Sequence, residues 1–456
     1  MNQRQLIGLG LSVLAMLVIP GLSRAVAASA PLALGEAMLL ALKHNPGLKA
    51  AGLTVETAEA EVAKARAKFL PQVNLGQSYN YSDNPTQVFM SKLNQRVFTQ
   101  NDFLLNNLNH PKTYGNFRTG VNLSQPLFQA GDAYLGYQQA RLGREMAAAQ
   151  VLSRRQQLLF QVTQAYYGLQ LARENLIVVE QARDTASANL KLVESRYRSG
   201  TVVRADVLSA QVNLARLTQE QMSVAAQVQI ARSALDTVVG LPGTGSRTLA
   251  PAPKEPAPLP ARLDGLEEEA RAKRPDLKSL ALAAQVARKE AAKARLNYLP
   301  RLKVVAEYDV DQRRLFAGGG DSFTVLALLN LNLFNGLADL ARVRESKAKE
   351  AQAHEWQREL EDGIRHQVTE NVLRLKTAHE RLKVAGAAVA QAREGLRLIR
   401  LRYEEGLTIL VDLLTAENAL KDADLGRVAA LFDTHLAHAR LDLALGTLTG
   451  PDEVGK

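Results

Sequence analysis

Cysteine is absent from the 456 residues. That absence excludes disulfides, thiolate metal sites, cysteine nucleophiles and an acylated amino-terminal cysteine. Aromatic residues make up only 5% of the chain while Ala, Leu, Arg, Glu and Gln abound, which favours long helices over compact mixed domains. The formal net charge is +10, yet no block of Lys and Arg is set among aromatics. The basic residues interleave with Glu and Asp as on solvated helical faces, so no nucleic acid is expected as a partner. No Gly-x-Ser-x-Gly, His-Glu-x-x-His or paired-carboxylate cluster stands outside ordinary helix faces, and Gly240-Leu241-Pro242-Gly243-Thr244-Gly245 lacks the ending of a phosphate loop. The chain is therefore expected to be no enzyme, with no catalytic residue, metal or cofactor. His435 and His438, three apart on a helix, have no carboxylate grouped with them and read as packed or solvated side chains rather than ligands. Beyond the first residues no stretch is long and apolar enough for a transmembrane helix. If this chain enters a membrane, it does so with strands.

The amino terminus carries Arg4, an apolar run from Leu6 to Ile19, Pro20-Gly21, and an Ala-x-Ala site at Ala25-Val26-Ala27. Residues 1–27 read as a secretory signal peptide, so the mature chain leaves the cytoplasm. Further on, Ala63-Lys64-Ala65-Arg66-Ala67-Lys68-Phe69-Leu70-Pro71 is echoed by Ala292-Lys293-Ala294-Arg295-Leu296-Asn297-Tyr298-Leu299-Pro300. Each copy reads as a helix stopped by proline. After each proline the apolar period falls to two: Val73, Leu75, Tyr79 and Tyr81 in one place, Leu302, Val304, Ala306, Tyr308 and Val310 in the other. Each run has a returning partner. Phe117, Thr119, Val121 and Leu123 share a face and are closed by Pro126; Phe323 to Leu333 returns after Gly318-Gly319-Gly320.

Long helices follow both hairpins. The pattern from Asp132 to Arg198 has no proline and would measure on the order of 100 Å as one helix. Leu152, Leu159 and Tyr166 recur every seven residues, as do Leu375, Leu382, Val389, Leu396 and Tyr403, a spacing that makes helices supercoil. Pro46 and Pro275, like Pro71 and Pro300, lie 229 positions apart; Tyr197 and Tyr403, Gly200 and Gly406, Asp206 and Asp412 lie 206 apart. The only length change falls inside the first hairpin, which is strong evidence of duplication. The expected layout is a signal peptide at 1–27 and a first structural repeat at 28–240, with a hairpin at about 72–125 and a long helix pair at about 132–240. A Pro/Gly-rich linker at 241–261 leads to a second repeat at 262–447, with a hairpin at about 301–333 and a helix pair at about 337–447. A tail at 448–456 ends the chain.

Each alternating run is about ten residues, enough for a tilted strand to cross a bilayer, with Tyr79, Tyr81 and Tyr308 placed for an aromatic girdle. A membrane sheet must close, and four strands are too few; about eight is the practical minimum. Copies of the chain must pool strands: two would give eight and three would give twelve. A soluble hairpin packed on a coiled coil is the plainer alternative.

At this point the residues resemble a known family. Tyr197-Arg198-Ser199-Gly200 with Asp206, Leu208 and Ala210, and Tyr403-Glu404-Glu405-Gly406 with Asp412, Leu414 and Ala416, are similar to the doubled turn motif of the TolC-type outer-membrane efflux proteins. The joints Leu127-Phe128-Gln129-Ala130-Gly131 and Leu333-Phe334-Asn335-Gly336 fit as well, and the resemblance spans essentially the whole mature chain. It implies a mostly helical fold with membrane strands: a homotrimer whose twelve pooled strands form one outer-membrane barrel above a long periplasmic helical tunnel. It also implies that the linker and carboxyl-terminal segment belt the tunnel, with Pro71, Pro126 and Pro300 at the joints between helix and barrel. The turns at Gly200 and Gly406, with Asp206, would be the periplasmic tips that dock an adaptor (membrane fusion protein). The inner-membrane partner would be an RND or ABC transporter, in a tripartite efflux pump or a type I secretion system.

By the same resemblance Asp412 supplies a constriction ring; the plainer reading is a carboxylate serving the first turn of the last helix. The family's second acidic position is Thr415 here, its arginine is Thr408, and Tyr403 keeps its aromatic. Asp206 either pairs across the tips or is an ordinary helix-start carboxylate. The amide-rich insertion at 83–111 reads as an extracellular loop, a packed lid over the mouth. The competing functions are a periplasmic coiled-coil adaptor, which would need a lipoyl-like β domain, and a structural coiled coil, which would lack matched bilayer-length strands.

Overall fold

The computed structural model describes residues 31–251, 255–259 and 265–450. The expected signal peptide lies outside the described residues, as do parts of the linker and of the tail.

The first repeat begins with α1 (Leu34–His44) and α2 (Pro46–Ala67). They are separated by Asn45, whose side chain accepts from the Leu48 amide at 3.0 Å while Pro46 occupies the first helical position. Strand β1 (Gln72–Ser82) leads through the short helices α3 (Pro85–Asn94) and α4 (Leu105–Asn109) to β2 (Tyr114–Phe128). Helices α5 (Asp132–Arg198) and α6 (Arg204–Val239) complete the repeat. The second repeat runs through α7 (Leu266–Lys273), α8 (Pro275–Arg295), β3 (Arg301–Gln312), β4 (Gly320–Asn330), α9 (Ala338–Glu404) and α10 (Leu410–Leu445). Helices α5 and α9 both have 67 residues, and α6 and α10 both have 36, each pair offset by the 206 positions seen in the sequence. The heptad positions are mostly interior: Leu159, Tyr166, Leu375, Val389, Leu396 and Tyr403 are buried, whereas Leu152 is exposed.

The helix ends differ in detail from expectation. Helix α2 stops at Ala67 and α8 at Arg295, so a turn (a 3-10 turn at Leu296–Tyr298 in the second copy) separates each helix from Pro71 or Pro300. The prolines start the strands rather than cutting the helices. Pro126 does not close β2 either. The strand runs on to Phe128 through a register shift between Pro126 and Phe128, because β3 offers Lys303 and Leu302 as further partners. Strand β4 ends at Asn330, short of Leu333.

The four strands form one antiparallel sheet in the order β1-β2-β3-β4. Its register writes one continuous apolar row across all strands: Leu75 opposite Val121, Val121 opposite Tyr308, Tyr308 opposite Phe323. A second row, Val73, Leu123, Ala306 and Val325, lies beside it. Leu75 is 74% exposed and Phe323 69%, so nothing among the described residues covers this face. The opposite face is polar along Asn74-Asn122-Glu307-Thr324 and Gly76-Gly120-Asp309-Ser322, giving way to Val305, Leu326 and Leu328 toward the helices. Arg118 donates to Asp309 at 2.9 Å, and Asn122 to Glu307 at 2.9 Å. Among the described residues the outer edges of β1 and β4 have no partner.

The 83–111 insertion contains the helices α3 and α4, which amide-rich composition did not disclose. It lies across the end of the sheet. Gln95 donates to the Gly115 carbonyl and to Asn116, which in turn bonds Asp311, while Arg96 pairs with Asp321 at the start of β4 at 2.8 Å. The Lys92 ammonium, 2.6 Å from Asp102, together with the Thr99 amide holds that carboxyl down at about 2.

Three apolar clusters mark the helical part. One gathers Leu32, α1, α5, α6 and α10; another gathers α7, α9 and α10; the third, around Val193, Ala210, Leu396, Tyr403, Leu410 and Leu413, sits at the helix turns. The linker is tied to the first cluster. Leu32 bridges Leu249 in parallel, Tyr166 donates to the Leu32 carbonyl at 2.9 Å, and Gln170 donates to Ala250 at 2.7 Å.

Candidate channel gate at the helix turns

Both long helix pairs reverse in the same five-residue geometry. Gly200 and Gly406 take φ +77° and +73°, a left-handed conformation that only glycine adopts cheaply. Amides fold back onto the helix end in each turn, Thr201 to Arg196 at 2.9 Å and Leu407 to Arg402 at 2.8 Å. The residues that open the next helix, Val203 and Ile409, share φ −91° and ψ 160°. Three residues on from these come Asp206 and Asp412, in the first turns of α6 and α10 where an anion is favoured by the helix dipole. Val203, Leu208 and Val212 on one turn, and Leu407, Ile409 and Val411 on the other, leave apolar side chains in solvent.

The structure brings only some of the sequence-selected residues together. The Thr408 hydroxyl donates to the Asp412 carboxylate, and Asp412 is exposed. Thr415, one turn further along, is exposed too, but its hydroxyl donates to the Val411 carbonyl at 2.7 Å. Tyr403 faces inward. It is buried in the third cluster with the Arg196 guanidinium 4.9 Å above its ring, and Arg196 also donates to the Tyr403 carbonyl at 3.3 Å. Burial raises its phenol above the ordinary range, against the lowering influence of Arg196 and with a further upward push from Asp206. Tyr403 therefore lies in the seam between the repeats, whereas Asp412 and Thr415 are exposed and Thr408 is half-buried.

Several polar residues that hold this seam were not singled out in the sequence. Asn189 on α5 donates to both carboxylate oxygens of Glu417 on α10 at 2.7 and 2.8 Å, and Arg400 reaches the same carboxylate at 3.4 Å. Lys421, buried on α10, meets both oxygens of Glu220 on α6 at 2.8 Å, and Arg216 bonds Asn418. A signal for them did exist in the duplication. Asn189, Glu220, Arg400, Glu417 and Lys421 correspond to Gly395, Gly426, Glu194, Gln211 and Ala215 in the other repeat. The cross-repeat ties are built where the two copies disagree.

Lys421→Ala removes the cation from a half-buried pair and should cost about 2 kcal/mol locally. Amides in 410–425 and 208–222 should then exchange hydrogen about 30-fold faster. Unchanged exchange in both stretches would remove the pair from the seam. Among the described residues no group of three or more His, Asp or Glu converges as metal ligands. His435 and His438 point apart: the His435 ring stacks on Tyr167 at 5.0 Å, whereas His438 meets His379 of α9.

The family model described as outer membrane efflux protein matches residues 38–241 and 266–447. The chain is 26% identical over 422 residues to the alkaline protease secretion protein AprF of Pseudomonas aeruginosa, covering 91% of this chain and 84% of that protein. It is 27% identical over 381 residues to protein CyaE of Bordetella pertussis, covering 82% and 71%. Among solved structures, the Campylobacter jejuni CmeC outer membrane channel superposes with a TM-score of 0.79 at 17% identity, over 92% of this chain and 87% of that one.

Proposed function

The chain belongs to the outer membrane efflux protein family, and from that premise we propose that it is an exit duct through which cargo passes from the periplasm to the exterior. The observation that carries the reading is the sheet. One face is a continuous exposed apolar row, the other is polar, and both outer edges are bare. In hydrocarbon an unpaired edge is too costly to persist, so β1 of one copy pairs with β4 of another until the wall closes. Three copies give twelve strands, with the polar rows lining the lumen and the apolar rows meeting lipid. The long helices continue this wall below the membrane as a tunnel, belted by the linker between the repeats.

At the far end the turns at Gly200 and Gly406 form the narrow mouth. Asp412, exposed and one per chain, places a ring of carboxylates there, with Thr408 orienting it and Thr415 above it. Tyr403 acts from behind, as part of the seam that keeps each helix pair in its closed position. The exposed apolar residues of both turns are the docking surface for a periplasmic adaptor, which joins the duct to an RND or ABC transporter of an efflux pump or a type I secretion system. Secretion has support from AprF, whose name assigns it alkaline protease secretion. The rival reading as an adaptor would call for a lipoyl-like β domain, and the described residues fold into one four-stranded sheet and helices.

Cell fractionation tests the reading. The mature protein should be recovered in outer membranes as a heat-resistant trimer that forms pores in planar lipid. Recovery as a water-soluble periplasmic monomer without detergent refutes it.

A further inference from the structure

The pairing of His379 with His438 has no part in the duct described so far. His379 on α9 and His438 on α10 turn their Nε2 atoms toward each other at 3.1 Å, with the rings 81° apart and their centroids separated by 5.3 Å. Both side chains are half-buried in the single chain. The helices are fixed on either side of it. Thr434 donates to the Ala378 carbonyl at 3.3 Å, and Leu375, Ala378, Ala437 and Leu441 pack together in one cluster.

The geometry points to a two-imidazole site for a borderline divalent cation of the zinc, copper or nickel type. Two imidazole nitrogens bound to one such ion at about 2.0–2.1 Å lie about 2.9 Å apart at a right angle and about 3.4 Å apart at a tetrahedral angle. The observed 3.1 Å falls between these limits, while the 5.3 Å centroid separation shows the two nitrogens aimed nearly head-on, so a metal enters once both rings tilt to converge on it. Neutral imidazole prefers these ions to calcium or magnesium, which take oxygen. Burial lowers the pKa of both rings, which keeps their lone pairs available near neutral pH. No third acidic or histidine side chain joins them among the described residues, so water fills the remaining positions and the site exchanges its metal. A bound ion would tie α9 to α10 near the carboxyl-terminal end of α10, far from the turn at Gly406.

The test uses purified untagged protein in detergent, titrated with zinc by calorimetry and with copper(II) by electron paramagnetic resonance. One ion should bind per chain, and the copper spectrum should show coupling to two nitrogens. His379→Gln and His438→Gln should each weaken binding by at least about 10-fold and abolish the two-nitrogen pattern. His354→Gln, at an exposed position, should leave both unchanged. Absence of saturable binding, which leaves a plain hydrogen bond between neutral imidazoles, overturns the proposal. So does binding that survives both substitutions. Should the variants fail to form trimers, a wild-type copper spectrum without two-nitrogen coupling overturns it as well.

Discussion

Asp412→Ala should raise the single-channel conductance of the duct several-fold and weaken its block by multivalent cations by one to two orders of magnitude. Three carboxylates, one per chain, would face a common axis at the narrow mouth. A divalent cation about 6 Å from each gains roughly 4 kcal/mol from the three together at the dielectric constant of water, before salt screening reduces it. A bound cation plugs the opening, and that is why removing the negative charge increases flow instead of reducing it. Asp412→Asn is the sharper variant, because the amide still accepts the Thr408 hydroxyl while the charge is gone. If both variants conduct and block as wild type does, Asp412 is only the opening carboxylate of α10 and the gate lies elsewhere. Thr415→Asp should move in the opposite direction by adding a second ring one turn above.

The second large effect is expected in the sheet. Leu75→Arg puts a guanidinium on the apolar row, at a cost of about 2–4 kcal/mol near the middle of the bilayer. Each duct contains three copies, so the assembled barrel loses on the order of 6–12 kcal/mol, comparable with the whole stability of a domain. Heat-resistant trimers should disappear from outer membranes. The neighbouring substitution Asn74→Arg makes the decisive contrast, since residue 74 points to the polar face beside Asn122. That variant should assemble normally and change only ion selectivity. Equal assembly of the two variants would mean that the row is not lipid-facing, and the barrel would have to be abandoned.

These two residues also show what could be read without coordinates. Period-two alternation alone puts Leu75 on one face of β1 with Val73, Tyr79 and Tyr81 and leaves its neighbour Asn74 on the other, and the register agrees, because a one-residue slip would invert every side chain of the strand. The duplication was equally legible, down to equal helix lengths, because an insertion in a supercoiled helix pair would disrupt the packing of both partners. Composition hid α3 and α4, whose amide-rich sequence has little periodicity of its own and is organised by bonds such as Gln95 to Asn116. It also hid the histidine pair. In the sequence the nearest histidine to His438 is His435 on the same helix, whereas its partner His379 is 59 residues away on another one. The ties between the repeats near the helix turns were missed for a related reason. Looking for what the repeats share passes over Lys421 and Glu417, whose counterparts are Ala215 and Gln211.

The bare margins of the four-stranded ribbon also constrain biogenesis. A lone subunit has no acceptable resting place in lipid, so insertion and oligomerisation have to be a single event and not successive ones. Before that event the ribbon must wait in water, sticky along two sides, in the company of folding helpers or of its sisters. The supply of completed ducts should therefore depend steeply on how much protein is exported, and a slow trickle of subunits would be lost to proteases before three could meet.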